Sequence, residues 1–369
     1  MTDTGKALFI TSPVFQETAW RGNHPLAIMR HNAVVELCNT LGWLPACAQR
    51  LAAPAGRETL LRFHKADYLD NLQECCAEGR VSTPMRRRYN IGTMENPVFA
   101  GLFERAATTV GGSVMAARIA LDGGIGFHPA GGTHHGRPDR ASGFCYFNDP
   151  VFAILTLLDG GMEKLLYVDL DAHHGDGVQD AFAGDARVMT LSIHEQDRWP
   201  HSGALNDRGG GHARNLPVPA GFNDSELDYL MAEAVLPLAR HFAPQAMVIT
   251  CGADALAGDP LSHLELSNQA LLRACLALTA LVPGAVVLGG GGYNPWTTAR
   301  LWTGLWGALT GHAMPVALPA SALTVLSHLQ CDLVEDDEIE PHWLNALRDP
   351  PNTGPVREAI KQIARRVLG

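Results

Sequence analysis

The stretch Leu165–Gly177, LLYVDLDAHHGDG, constrains this chain more than any other. An apolar run leads into it, and Asp169, Asp171, His173, His174 and Asp176 crowd its end. A buried parallel strand reads as a short apolar run, and open α/β sheets place ligands beyond the carboxyl ends of such strands. Side chains alternate along a strand, so Asp169, Asp171 and His173 share one face if the extended conformation continues. Two carboxylates and an imidazole on one buried face are costly unless a cation holds them together. A metal site is the first reading, and a polar strand-to-helix loop is the ordinary alternative.

The same pattern recurs along the chain. Val188–His194 ends in SIHE, Ala246–Thr250 runs into Cys251-Gly252-Ala253-Asp254, and Ala285–Leu288 runs into Gly289–Gly292 and Tyr293. Helical periodicity marks His31–Leu41, about Val98–Leu121, Pro150–Leu158, about Leu227–Phe242, Ser267–Ala280 and Trp296–Leu309. This alternation predicts an α/β fold, an open and mostly parallel sheet flanked by helices. Lys6–Thr11 reads as an opening or edge strand, Thr18–Arg30 as a loop and Gly79–Pro97 as turn-rich. Residues 125–149 read as a glycine-dense loop and Glu195–Pro219 as one long loop. His64 reads as structural, and Val356–Leu368 as an amphipathic helix docking Ile360, Ile363 and Val367.

Charge narrows the classes of partner. With 28 Lys plus Arg against 38 Asp plus Glu, the net charge of −10 offers no general attraction to nucleic acid or anionic membranes. The run Arg86–Arg88 reads as solvated charge. The 8 cysteines form no Cys-x-x-Cys pair, which argues against a thiolate zinc knuckle and a disulfide scaffold. No stretch reaches membrane-spanning length and no basic segment precedes an apolar run near Met1, so a soluble cytoplasmic protein is expected.

His134-His135, Asp171 with His173, Asp254 and Tyr293 lie at expected strand ends or in glycine loops beside them. A doubly wound sheet gathers such ends into one crevice. Two carboxylates and an imidazole suit zinc or ferrous iron and leave a position for water. One ring of the His pair can then take a proton while the other stabilises charge, each backed by a carboxylate on its far nitrogen. Asp169 and Asp176 are of the right type for that. Tyr293 can donate to an oxyanion. Together these groups describe hydrolysis of an amide or ester carbonyl. Each also has an ordinary reading: a turn pair, a helix N-cap at Asp254, a strand-end aromatic. The four glycines are not a phosphate loop, because no Gly-Lys-Ser/Thr follows. Cys145 and Cys251 read as packing or pocket-wall residues.

The segments GGTHHGRPDRASGFCYFND, LLYVDLDAHHGDGVQDAF, VMTLSIH, ITCGADALAGDPL and VVLGGGGYN, in this order, resemble the histone deacetylase superfamily. That group includes bacterial acetoin-utilisation proteins and acetylpolyamine amidohydrolases. The resemblance runs from about residue 24 to about 310 and implies an arginase-like fold and zinc-dependent deacetylation. It implies one catalytic domain over 1–369, with an extension from about 311 packed on it. By position it assigns Asp171, His173 and Asp254 to zinc, His135 with Asp176 to acid–base work, His134 with Asp169 to electrostatic support, and Tyr293 to carbonyl polarisation. It places a structural potassium ion at Asp169, Asp171, His173, Ser192 and Ile193. Gly143 and Phe144 match a substrate tunnel wall, and Arg30 an arginine near the inner cavity.

Departures from the pattern bear on substrate. Trp199 stands where the opposite wall is commonly Phe, which implies a narrower or shorter channel. Glu95 falls near a family aspartate that holds substrate backbone, and Leu261 stands where polyamine-selective members carry glutamate. The leading expectation is a zinc amidohydrolase acting on a small acetylated amine, with protein acetyl-lysine as the alternative. An arginase-like ureohydrolase would need more metal-binding carboxylates, and a non-catalytic binding protein would hold metal without turnover. A homo-oligomer is compatible with all of these.

Overall fold

Eight short strands, the central ones rich in Val, Ile and Leu, pair into one sheet in this computed structural model, which describes residues 7–16 and 24–368. In chain order they are β1 (Ala7–Thr11), β2 (Gln49–Leu51), β3 (Ile125–His128), β4 (Leu165–Asp169), β5 (Val188–Glu195), β6 (Ala213–Val218), β7 (Ala246–Thr250) and β8 (Gly284–Leu288). Their spatial order is β2-β1-β3-β8-β7-β4-β5-β6, with every neighbouring pair parallel. β4, β5, β7 and β8 are buried throughout, as strands covered on both faces are. The expected α/β fold is therefore present, an arginase-like open sheet flanked by helices.

Register positions the site. Asp169 pairs with Ser192 on one side and Thr250 on the other. Thr250 and His128 both pair with Leu288. The carboxyl ends of β3, β8, β7 and β4 are thus level, and the loops leaving them meet over one stretch of sheet edge. Helices Arg30–Thr40, Asn268–Thr279 and Pro295–Leu309 cover one face, where Trp302 and Trp306 are fully buried. Helices Leu102–Leu121 and Asp149–Asp159 cover the other.

Several elements depart from expectation. β1 is interior, and β2 takes the edge beside it. β6 lies within the expected long loop; its sequence ARNLPV carries Arg, Asn and Pro, which an edge strand tolerates. β3 spans only Ile125–His128 inside the glycine-dense stretch, and a helix Thr83–Tyr89 interrupts the turn-rich one. That helix, not a loop, carries Arg86–Arg88, placed in its last turn where they face the negative end of its dipole. Of the expected loop Thr18–Arg30, residues 18–23 lie outside the described ones, as does Lys6.

The chain beyond the last core helix packs back on it. Buried Arg300 donates from Nε to Ala346 O and places Nη1 2.6 Å from Asp349 Oδ1. The helix Glu358–Leu368 buries Ile360, Ile363 and Val367, so its apolar stripe is docked as expected. Among the described residues, no helix is long and apolar enough to cross a membrane.

Candidate active site

The extended conformation of β4 stops at Asp169, and the chain bends through the residues that follow. The one-face reading of Asp169, Asp171 and His173 is therefore corrected. Each side chain instead braces the next turn: Asp169 Oδ1 accepts from Asp171 N–H at 3.2 Å, and Asp171 Oδ1 from His173 N–H at 2.9 Å. The bend turns Asp171 and His173 toward Asp254, which sits in a short 3-10 turn after β7. Ligand atoms of these three residues lie within 4.8 Å of one another, and they form the metal-ligand group found among the described residues. Asp254 is not a helix N-cap: its Oδ1 accepts from Ala172 N–H at 3.0 Å.

Glycines let backbone reach these carboxylates. Gly291 N–H donates to Asp171 Oδ2 at 2.6 Å, and a Cβ on Gly291 would stand 2.0 Å from Asp254 Oδ2. A Cβ on Gly252 would stand 2.3 Å from Asp171 Oδ2. The glycine run after β8 thus shapes a carboxylate cradle.

The donor set fits a divalent cation. His173 Nδ1 lies 2.9 Å from Asp254 Oδ2 and 3.3 Å from Asp171 Oδ1. Burial opposes charge on that ring, yet the two carboxylates outweigh it and raise its pKa to about 10. Burial together with the Asp171 charge pushes the Asp254 carboxyl up to about 6. A buried pocket that draws a proton between three donors is one that a dication satisfies better, and carboxylate and imidazole together suit zinc.

The paired rings stand beside this cage, 3.9 Å apart. His134 Nδ1–H donates to Asp169 Oδ2 at 2.7 Å, and His135 Nδ1–H donates to Asp176 Oδ1 at 2.7 Å. Their environments separate them. Burial opposes charge on His134, but Asp169 and Asp171 raise its pKa to about 9. Burial and the neighbouring His134 charge lower His135 to about 3. The two rings are thus pushed in opposite directions, an arrangement suited to acid–base division of labour.

A cavity of about 670 Å³ opens above, lined among others by His135, His173, Gly143, Phe144, Trp199, Leu261, Glu95 and Tyr293. Phe144 and Tyr293 meet at 5.8 Å between ring centroids, and Trp199 packs against His135 at 4.6 Å. Arg30 lines a separate inner cavity; its Nη1 donates to Gly292 O at 2.7 Å and its guanidinium lies 5.9 Å from the Tyr293 ring centre. Glu95 reaches the cavity, yet its carboxylate already accepts from Gly143 N–H and from Asn90 Nδ2. Its first role here is to hold the tunnel wall. Ser192 lies beside Asp169 in the sheet, and its hydroxyl contacts His194 Nδ1 at 2.9 Å. Cys145 and Cys251 are buried; burial pushes the Cys145 thiol up, and a hydrogen bond with Cys275 together with burial raises that of Cys251.

Other residues of the site were not anticipated. Buried Asp149 accepts from Gly132 N–H, from both the N–H and the hydroxyl of Thr133, and from Ser113 Oγ, so it organises the loop that carries the His pair. Arg137 pairs with both Asp176 and Asp180. Asp259 accepts from Tyr293 N–H at 2.7 Å and from Leu261 N–H at 2.9 Å. The nearest sequence signal was that Asp149 closes the matched segment FCYFND and Asp259 lies within AGDPL. His64 is structural as read: Nδ1–H donates to Arg137 O and Nε2 accepts from Asn148 N–H.

Comparison with known proteins agrees with this geometry. Residues 24–309 match the family model described as histone deacetylase domain. The chain is 35% identical over 273 residues to histone deacetylase 8 of Danio rerio, covering 72% of each chain. It is 33% identical over 346 residues to the acetoin utilization protein AcuC of Bacillus subtilis, covering 85% of this chain and 89% of that one. The crystal structure of an HDAC homolog from Aquifex aeolicus superposes with a TM-score of 0.93 at 34% identity, over 99% of this chain and 100% of that one.

Proposed function

Since this chain belongs to the histone deacetylase family, a family of zinc-dependent amidohydrolases, we propose that it removes acetyl or another short acyl group from lysine side chains presented on a peptide or protein. One observation carries the proposal: the Asp171–His173–Asp254 cage, the paired histidines and Tyr293 converge on one open cavity. The lysine substrate is favoured by the names of the similar proteins, most of them histone deacetylases, and by Leu261 at the mouth, where no carboxylate selects a polyamine. Trp199 supports a second reading, a slender acetylated amine, because it crowds the channel beside His135.

Zinc held by Asp171, His173 and Asp254 would act as a Lewis acid on the acyl carbonyl and bring the pKa of water to about 7; ferrous iron suits the same donors. Neutral His135 takes the proton of the attacking water, and Asp176 steadies the imidazolium that results. Charged His134 stabilises the negative charge that builds nearby and, through its own charge, keeps His135 deprotonated until then. Burial keeps the Tyr293 phenol protonated, so it donates a hydrogen bond to the carbonyl oxygen as that oxygen gains charge. Protonated His135 then returns its proton to the departing amine. Asp259 fixes the backbone of Tyr293 and Asp149 that of the His pair.

The proposal also takes residues 1–369 as one catalytic domain, supported by the Arg300–Asp349 pair that ties the later segment down. It includes a structural potassium ion near Asp169, Asp171, His173, Ser192 and Ile193, supported by the adjacency of Asp169 and Ser192 across two strands.

A turnover screen of the zinc-loaded protein tests the substrate. Acetyl-lysine peptides should be hydrolysed faster than acetylated polyamines. The reverse order would establish the small-amine reading, and no hydrolysis of either would overturn both.

A further inference from the structure

We propose that Arg198 is a positioning residue that ties the Trp199 side of the cavity mouth to the Leu261 loop and to the end of β5, and so sets the width of the slot admitting the substrate chain. This rests on reading the cavity as a substrate channel. Trp199 and Gly143 approach closely at the slot: a Cβ on Gly143 would stand 2.4 Å from Trp199 Cη2. Trp199 is 37% exposed, so packing alone holds the indole weakly, whereas Arg198 beside it is held from three directions.

Arg198 Nε lies 2.5 Å from Glu195 Oε2, and Nη2–H donates to Glu195 Oε1 at 3.0 Å. Glu195 is the buried last residue of β5, so this ion pair with its single hydrogen bond anchors the wall loop to the sheet. Nη1–H donates to Leu261 O at 3.0 Å, on a loop that also lines the cavity. Nη2 also donates to His263 Nδ1 at 2.6 Å, while Glu195 Oε2 accepts from His263 N–H at 2.8 Å. The loop captured this way is the one in which Asp259 holds Leu261 N–H and Tyr293 N–H. One planar guanidinium therefore joins the end of β5, the Trp199 wall and the Leu261 loop. A lysine ammonium lacks the rigid fork that serves all of these at once. None of these contacts involves the metal-ligand carboxylates or the paired histidines, so Arg198 acts through other residues and not on the reacting atoms.

The test uses the full-length zinc-loaded protein, an acetyl-lysine peptide and the same peptide with a methyl branch on the lysine chain. The parent enzyme should discriminate strongly against the branched peptide. In Arg198→Ala and Arg198→Lys that discrimination in kcat/KM should shrink at least about tenfold, chiefly through KM for the branched peptide, with zinc content retained. An ion pair that serves stability alone would lower Tm, be restored by Lys and leave the ratio unmoved; that result overturns the proposal. A second readout needs no turnover. Acrylamide quenching of Trp199, taken as the difference from Trp199→Phe in each background, should increase in Arg198→Ala and Arg198→Lys, and unchanged quenching would overturn the proposal. If the parent hydrolyses neither peptide, the functional reading fails, and quenching alone then decides the role of Arg198. If Arg198→Ala does not fold, Glu195→Gln is measured in its place with the same expectations.

Discussion

The floor and the mouth of this one cavity are built by different means. At the floor, Asp171, His173, Asp254, His134, His135, Asp169 and Asp176 are all buried, and backbone N–H groups from loops after β4 and β8 grip their carboxylates. At the mouth, side chains make the ties: Arg198 joins the Trp199 side to the Leu261 loop, Glu95 holds Gly143, and His263 keeps 75% of its side chain exposed. Backbone contacts anchored in a parallel sheet allow little adjustment, whereas a few side-chain contacts between loops can be re-made at modest cost. Chemistry should therefore be lost by changes at the floor without a change in selectivity, and selectivity altered at the mouth without loss of chemistry.

The largest expected effect is at the cage. Asp254→Ala removes one of two buried carboxylates and should leave the dialysed protein without zinc and without detectable turnover. Full zinc stoichiometry in that variant, measured by atomic absorption, would show that the ligands have been wrongly chosen. Tyr293→Phe separates metal binding from catalysis. It should lower kcat by roughly 10²–10³-fold, leave zinc in place and keep the preference between peptide and polyamine. A changed preference would mean that floor and mouth are not separable. Gly291→Ala is a gentler attack on the same region. Its new Cβ would meet Asp254 Oδ2 at 2.0 Å, so the carboxylate must shift, and zinc affinity by chelator competition should fall roughly 10–100-fold. Parent-like affinity would show that the cradle tolerates a methyl group.

These predictions also show what was legible beforehand. The cage and Tyr293 could be read because each sits just beyond an apolar run, and parallel strands bring such ends together whatever lies between them; the His pair stood out as adjacent imidazoles in a glycine-dense loop. The helices could be read from periodicity, within a few residues of Arg30–Thr40 and Leu102–Leu121. β6 could not, because an edge strand need not be apolar, and β3 was hidden by its brevity. The roles of Asp149, Asp259 and Arg198 were also illegible. Each depends on partners brought near only by the fold, such as Arg198 with Leu261, and nothing in the local sequence signals such a contact. Glu95 shows the limit from the other side: its place near the mouth could be guessed, but not that Gly143 and Asn90 already occupy its carboxylate.

Acid should test the scaffold beneath the floor. Burial lowers His64 to about 3, well below the ordinary value of 6.5, and burial with the His174 charge lowers His194 likewise. Between those values the unfolded chain binds protons that the folded one does not, so these two rings lower stability as pH drops from about 7 toward 4. Each ring should contribute on the order of 1–2 kcal/mol of that loss by pH 5. Urea midpoints at pH 7 and 5 measure it, and His64→Gln should lessen the fall although it weakens the protein at pH 7. An equal fall in the variant would mean that His64 does not resist protonation in the fold.

The smallest effect, and the sharpest for the comparison, is expected at Leu261. This side chain lines the cavity while its backbone is held by Arg198 and Asp259, so Leu261→Glu changes the chemistry of the mouth without removing either tie. A carboxylate there attracts a cationic chain, and the ratio of kcat/KM for an acetylated polyamine over an acetyl-lysine peptide should rise about tenfold, equivalent to about 1.4 kcal/mol. Because the new charge is solvent-accessible, high salt should erase most of the gain, and the uncharged Leu261→Gln should show little of it. An equal gain with Gln would assign the effect to shape. If turnover of both substrates collapses while zinc is retained, the mouth is coupled to the floor through Asp259 and Tyr293, and the division between them lies deeper in the channel than residue 261.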